Sequence, residues 1–219
     1  MLQSDDPAWG STEGFEIRRW NTGEVLARTA APSTVNLVTI HRGDLQSALF
    51  QRAQKLENAE VRLGTRVVDI DVNSTAAYLA TGERITGDLI IVADGVNSTL
   101  KWKICPAESE TAEPTGDAAY RLILPRRVLG DDEELLALVQ QPWVKRWDGP
   151  NGHIIVYPVH NGELLNVVLI HPDDGLAEES WKSMTEKHHV ITAFKGWDLV
   201  LQVSQFLFVQ YLSLGGFQE

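Results

Sequence analysis

The sequence has a single cysteine among its 219 residues, so Cys105 has no internal partner and a disulfide framework is excluded. It also lacks a charged n-region followed by an apolar h-region, since it opens MLQSDDPAWG, and a reducing, cytoplasmic setting is expected. No apolar run is long enough to span a bilayer: Leu199 to Leu214 is interrupted by Gln202, Ser204, Gln205 and Gln210 and falls short of the ~20 residues required. Positive charge is scarce. Nineteen basic against 30 acidic side chains give a formal charge of −11, a field that repels phosphate backbones and anionic lipid, so neither nucleic acid nor stable membrane insertion is expected. The G-x-S-x-G elbow of serine hydrolases is missing, and so is the G-x-G-x-x-G turn of a self-sufficient dinucleotide-binding domain.

What is present is an ordinary globular composition, with 43% apolar and 22% charged residues, which excludes disordered, collagenous and coiled-coil readings. After a polar, Gly-rich start, FEIRRW alternates with period two toward a turn at Asn21-Thr22-Gly23, and residues 15–28 read as a hairpin. VNLVTIH is a further strand. From Asp44, read as an N-cap, Leu45, Ala48, Leu49, Ala53 and Leu56 trace one face of a helix to about Asn58. VRLGTRVVDIDV and AAYLA give two or three short antiparallel strands, and Leu89 to Ala93 is read as a strand buried on both faces, ending at Asp94-Gly95. The acidic, proline-containing stretch 106–118 reads as a linker between domains. Beyond it come YRLILP, a short acidic helix over DDEELLALVQQ, and the pair GHIIVYPV and ELLNVVLIHP joined at His160-Asn161-Gly162. A loose helical pattern follows from Glu178 to Gln210, broken at Gly196-Trp197-Asp198. The expected division is 1–105, with residues 15–40 joining the second sheet, then 119–185, then a helical tail over 186–219.

Several residues are candidates for chemistry. Asp94 at the end of a buried strand stands where open α/β sheets bind ligands, and Gly95 would admit a close backbone approach; on these two residues alone, capping of a helix starting near Val96 is preferred. Arg42, between a strand and a helix N-terminus, is placed to meet a phosphate, although a surface ion pair with Asp44 is the simpler reading. His153, His160 and His171 have spacings that match no short metal motif, His188-His189 diverge on a helix, and Cys105 has no activating base, so no metal and no thiol nucleophile is expected.

Taken together, IHRGDLQSALFQRA at 40–53, DLIIVADGVNSTLK at 88–101 and WDGPNGHIIVYPVHNGELLNVVLIHPDD at 147–174 resemble the single-component flavin monooxygenases of the salicylate hydroxylase and para-hydroxybenzoate hydroxylase type. The linker, AYR at 119–121 and FKGWD at 194–198 resemble the fungal members. The resemblance implies an α/β (α+β) fold, a partial FAD/NAD(P)-binding domain with a substrate domain built on a mixed β-sheet. It implies FAD and NAD(P)H as cofactors, with Arg42 contacting FAD, Val68 approaching its adenine side through the backbone, and Asp94 with Gly95 serving the ribose-pyrophosphate region. Lys101 stands where the family motif has Arg, and Leu199 where it has Pro after Trp-Asp. The opening G-x-G-x-x-G unit and the later Gly-Asp motif of complete members are absent, so the chain reads as truncated at both ends.

The chemistry implied is hydride transfer to FAD, reaction of the reduced flavin with O2 and hydroxylation of an aromatic, salicylate-like ring. His153 and Tyr157, on one face of a strand, are the titratable groups expected to line the ring pocket. The alternative is a catalytically inactive remnant acting as a binding module. Residues 199–214 leave no wide polar face. A helix with Asp198 as its N-cap would plug a groove, drive self-association through an exposed patch, or pack on its own sheet.

Overall fold

A computed structural model describes residues 9–105, 115–173 and 187–213. In chain order these form β1 (Trp9–Ser11), β2 (Gly14–Arg19), β3 (Val25–Ala30), β4 (Val38–Ile40), α1 (Arg42–Gln54), β5 (Val67–Asp71), β6 (Ala76–Leu79), β7 (Arg84–Thr86) and α2 (Lys101–Ile104). The remainder are β8 (Asp117–Pro125), α3 (Glu133–Gln140), β9 (Trp143–Gly149), β10 (Gly152–Val159), β11 (Leu164–Pro172), α4 (Lys187–Ala193) and α5 (Leu199–Ser213). The chain divides into two compact units, residues 1–49 with 116–219, and residues 50–115. The acidic stretch expected as the domain boundary lies largely outside the described residues. One crossing of the chain falls within α1, well before that stretch, and the other between Thr115 and Gly116.

The first unit is built on a six-stranded mixed sheet in the order β3-β2-β9-β10-β11-β8, in which β2 and β9 run parallel and every other pair is antiparallel. The hairpin read over 15–28 is β2–β3, closed by Arg19 N donating to Glu24 O and Gly23 N to Arg19 O. Along β10, Ile154 and Val156 are buried while His153, Ile155 and Tyr157 are only half-buried, the period-two signature of a strand covered more on one face than on the other. The covered face joins Ile154 and Val156 to Trp147, Leu165, Val167, Leu169, Leu122 and Leu124, packed under Leu135, Leu138 and Val139 of α3 and Val200 and Leu201 of α5. Asp132 caps α3 through bonds from Glu134 N and Leu135 N at 2.9 and 3.0 Å.

The first turns of α5 therefore pack on the tail's own sheet through Val200 and Leu201; the side chains of Phe208, Val209 and residues 211–214 lie outside what is described. Leu201, Ser204 and Gln205 of α5 are buried, and Leu199 and Phe206 remain exposed. No helix among the described residues is long and apolar enough to cross a membrane.

A separate ribbon pairs β1 with β4, and Thr39 Oγ1 ties it to β10 by donating to Pro158 O at 2.6 Å. The helix expected from Asp44 begins two residues earlier. Asp44 sits in its first turn, where its Oδ2 lies 3.0 Å from His160 Nδ1 instead of capping the backbone. No residue of α1 is fully buried: Leu45, Ala48 and Ala53 of its apolar stripe are half-buried and Leu49 is exposed.

In the second unit β5, β6 and β7 form the antiparallel three-stranded sheet, with Asp71 accepting from Asn73 N and Ser74 Oγ in the first turn. Leu89 to Ala93 is not a strand. The segment has no regular structure, and Leu89 and Ile91 are 75% and 80% exposed, because an apolar run becomes a doubly buried strand only between partner strands and none of the described residues pairs with it. The helix expected at Val96 likewise begins only at Lys101, where Ser98 Oγ, not Asp94, accepts from Leu100 N and Lys101 N.

Candidate active site

The pairing His153↔Ile170, Ile155↔Val168 and Tyr157↔Asn166 puts these six side chains on one side of the six-stranded sheet, opposite the covered face. Through β9 the same side continues to Arg146 and Asp148, a salt bridge at 2.7 Å, and through β2 to Ile17 and Phe15, the latter half-exposed. The result is an apolar surface with a few polar groups at defined places, the composition of a small-molecule site wall. His153 and Tyr157 are four residues apart with Ile155 between them, so an aromatic ring resting on Ile155 and Val168 has a titratable group toward each end.

The His153 imidazole is held below its ordinary range, chiefly by burial and then by the Arg146 guanidinium, against smaller opposing effects of Asp148 and Asp117. Both lowering effects favour the uncharged imidazole. Asn166 was not expected from sequence. It is buried, and its Nδ2 has no hydrogen-bond partner among the described residues. A single amide in an apolar strand gives no periodic signal; its meaning appears only once Tyr157 is found directly across from it.

Arg42 is exposed at the start of α1, and the Asp44–His160 contact brings that helix end to the Tyr157 end of β10. Val68, Asp94 and Gly95 belong to the second unit. Val68 lies at an irregularity of the β5–β6 ladder, between the pairs Val67↔Leu79 and Asp69↔Tyr78, where a bulge frees backbone for other contacts. Asp94 is exposed, and Gly95 has φ +91° with open space where a Cβ would stand. Among the described residues no group of three or more His, Cys, Asp or Glu is arranged to hold a metal ion. His160 is taken up by Asp44, and His171 stacks on Tyr120 at 4.6 Å between centroids. The side chains of His188 and His189 lie outside what is described.

Two fungal relatives decide the family. The chain is 55% identical over 201 residues to the FAD-dependent monooxygenase atnJ of an Arthrinium species, covering 92% of this chain and 48% of that protein. It is 53% identical over 189 residues to the FAD-dependent monooxygenase ntnJ of a Nectria species, covering 86% and 45%. A solved salicylate hydroxylase substrate complex shares the fold at a TM-score of 0.66 and 25% identity, over 91% of this chain and 52% of that one. The chain belongs to the FAD-dependent monooxygenases of the salicylate hydroxylase type. No family model matches the sequence. The chain spans about half the length of the curated family members it matches.

Taken one unit at a time, the residues present have the chemistry a flavin contact needs: in the first, Arg42 is an exposed cation at a helix start, and in the second, Val68 lies at a ladder irregularity, Asp94 is an exposed carboxylate and Gly95 has open space at its Cβ position. A Gly-rich turn that would cradle the pyrophosphate is not in the sequence.

Proposed function

We propose that this chain supplies the substrate-facing sheet and part of the flavin contacts of an FAD-dependent monooxygenase that hydroxylates a small, salicylate-like aromatic ring with NAD(P)H and O2. The half-buried apolar face of β10, with His153 and Tyr157 on it, carries the reading in a chain whose relatives are named monooxygenases. FAD, when bound, supplies the oxygen chemistry. The chain's residues hold the ring. Ile155 and Val168 give it an apolar seat, the Tyr157 hydroxyl bonds a ring substituent, and the neutral His153 imidazole takes the proton of a ring hydroxyl, which raises the electron density of the carbon to be hydroxylated. Arg42, Val68, Asp94 and Gly95 are the residues assigned to FAD and the NAD(P)H approach.

A second reading, a flavin-free module that retains the substrate sheet, is favoured by the unpaired, exposed segment 88–95. The deciding experiment extends the transcript on both sides of this reading frame and purifies the protein it encodes. A yellow protein that oxidises NAD(P)H with salicylate or 3-hydroxybenzoate, giving a product heavier by one oxygen, is expected. A colourless protein with no oxygenated product across a panel of hydroxybenzoates overturns the proposal in favour of the second reading.

A further inference from the structure

The covered face of the sheet carries charges that the proposed hydroxylation does not use. Glu16 of β2 and Lys145 of β9 are paired directly across the parallel ladder, and Lys145 pairs with Val156 on its other side, so both lie opposite His153 and Tyr157. Glu16 is fully buried, and its two oxygens accept from Arg18 Nε and Arg28 Nε at 2.5 Å each. With that carboxylate taken, Lys145 has no ion pair among the described residues. Its Nζ reaches only the carbonyl oxygens of Ala137 and Gln141, at 3.4 and 3.5 Å, at the end of α3. These are long, weak bonds for a side chain that is 1% exposed. Lys145 lines a partly open cleft of about 260 Å³ together with Arg18, Thr22, Gly23, Leu138 and Asp198. That volume lies just under the range of drug-sized sites and suits a small ring. Arg18 is partly exposed in the cleft wall, its guanidinium 5.3 Å from the centroid of the Trp147 ring.

We propose that Lys145 is a covalent attachment site for a small aldehyde bearing an anionic group, its amine forming an imine in this cleft and Arg18 meeting the anion. The uncharged amine attacks the carbonyl carbon, forming a C–N bond and a carbinolamine. Loss of the hydroxyl with an amine proton as water leaves the C=N double bond, and hydrolysis returns both partners. No oxidant or reductant enters the balance. Geometry supplies what the reaction needs, a buried amine on a residue that lines a partly open cleft. Burial lowers its pKa to about 8. The charged groups around it are Glu16, Arg18 and Arg28 on the sheet and Glu134 and Asp198 on the cleft wall.

The test is independent of the monooxygenase reading. The 219-residue chain is incubated with pyridoxal 5′-phosphate, reduced with borohydride and mapped, and label is quantified at each of its seven lysines. At pH 8, Lys145 should carry about tenfold more label than any other lysine, since an ordinary lysine is almost wholly protonated there. The labelling rate should rise with a midpoint near 8. Lys145→Arg should remove that label and leave the rest. Label on Lys145 at or below the level of the other lysines overturns the attachment site. Pyridoxal without its phosphate should label Lys145 severalfold more slowly; equal rates overturn the role given to Arg18.

Discussion

The indole Nε1 of Trp147 donates to Asp198 Oδ2 at 2.8 Å, joining the centre of β9 to the residue that precedes α5. Asp198 has three further ties: its backbone N donates to Trp20 O at 2.7 Å, Oδ1 accepts from Val200 N at 3.4 Å, and its carboxylate stands where a Cβ on Gly23 would be. Gly23, at φ +68°, is thus required both by its turn and by this approach. Asp198→Ala leaves the fully buried Trp147 N–H without an acceptor, at about 1–3 kcal/mol, and removes a helix cap worth about 0.5–2 kcal/mol. A fall in the urea midpoint with an unchanged m-value is expected, and Asp198→Asn should recover part of it. A midpoint within error of the wild type would remove Asp198 from the framework.

The α5 helix is core on one side. Leu201 is fully buried against the sheet, so Leu201→Ala should cost about 2–5 kcal/mol, whereas Phe206→Ala, at a 59% exposed position, should cost far less. A chain ending at Trp197 should lose cooperative unfolding and scatter more light than the full chain. If the shorter chain stays folded and is the more soluble of the two, the tail is an exposed patch and not core.

The buried charges set two pH limits. Burial alone would raise the Glu16 carboxyl, but the hydrogen bonds from Arg18 and Arg28 outweigh it and hold it below the ordinary value of 4.5. A carboxyl lowered in this way stabilises the fold above its unfolded pKa, and that stability is lost as the pH falls through the folded value. Lys145 has the opposite history. Its pKa of about 8 lies below the 10.5 of the unfolded chain, so between those values the unfolded state binds more protons and stability rises with pH. Wild-type stability should therefore gain on Lys145→Met between pH 8 and 10.5, read as converging or crossing urea midpoints. A constant gap would mean that the amine is solvated.

The same cluster explains what the sequence concealed. Hairpins β2–β3 and β10–β11, the acidic helix α3 and the ladder β5–β7 are legible because alternation, caps and turn residues agree locally. Strand β9 is not, because one of its two buried inward positions is Lys145, a charge that breaks the alternation of Arg146, Trp147 and Asp148. Leu89 to Ala93 misleads in the opposite direction: hydrophobic composition states what a strand prefers but not whether a neighbour exists to pair with it. At the candidate site, period two places His153 and Tyr157 on one face, yet Asn166 becomes visible only through a register between strands that no local pattern encodes.

Flavin affinity follows from what the chain contributes. Arg42, Val68, Asp94 and Gly95 are the residues proposed to meet the flavin, and no Gly-rich pyrophosphate turn is in the sequence. Each missing charge-assisted hydrogen bond forfeits about 1.5–3 kcal/mol, and a micromolar complex amounts to about 8 kcal/mol in all. Calorimetric titration of the 219-residue chain with FAD should show no saturable binding at or below about micromolar. Saturation in that range would mean that segment 88–95 orders around the cofactor.

The proton acceptor can be tested without any cofactor. His153 is held below its ordinary 6.5, first by burial and next by Arg146, so its C2 proton should titrate below 6.5 in an NMR pH series assigned with His153→Gln. Arg146→Gln removes the nearest opposing cation and should move the midpoint up toward the ordinary value, while Asp148→Asn, which removes a favourable carboxylate, should move it further down. Because the folded pKa is the lower one, the unfolded chain binds more protons between the two values, and this histidine costs stability as the pH falls through that window. The opposite order of the two variants would mean that the imidazole is solvated and lies off the sheet face. A base on Ile155's side of the sheet has to be uncharged before it can take a proton from a ring hydroxyl, and the direction of these two shifts measures whether it is.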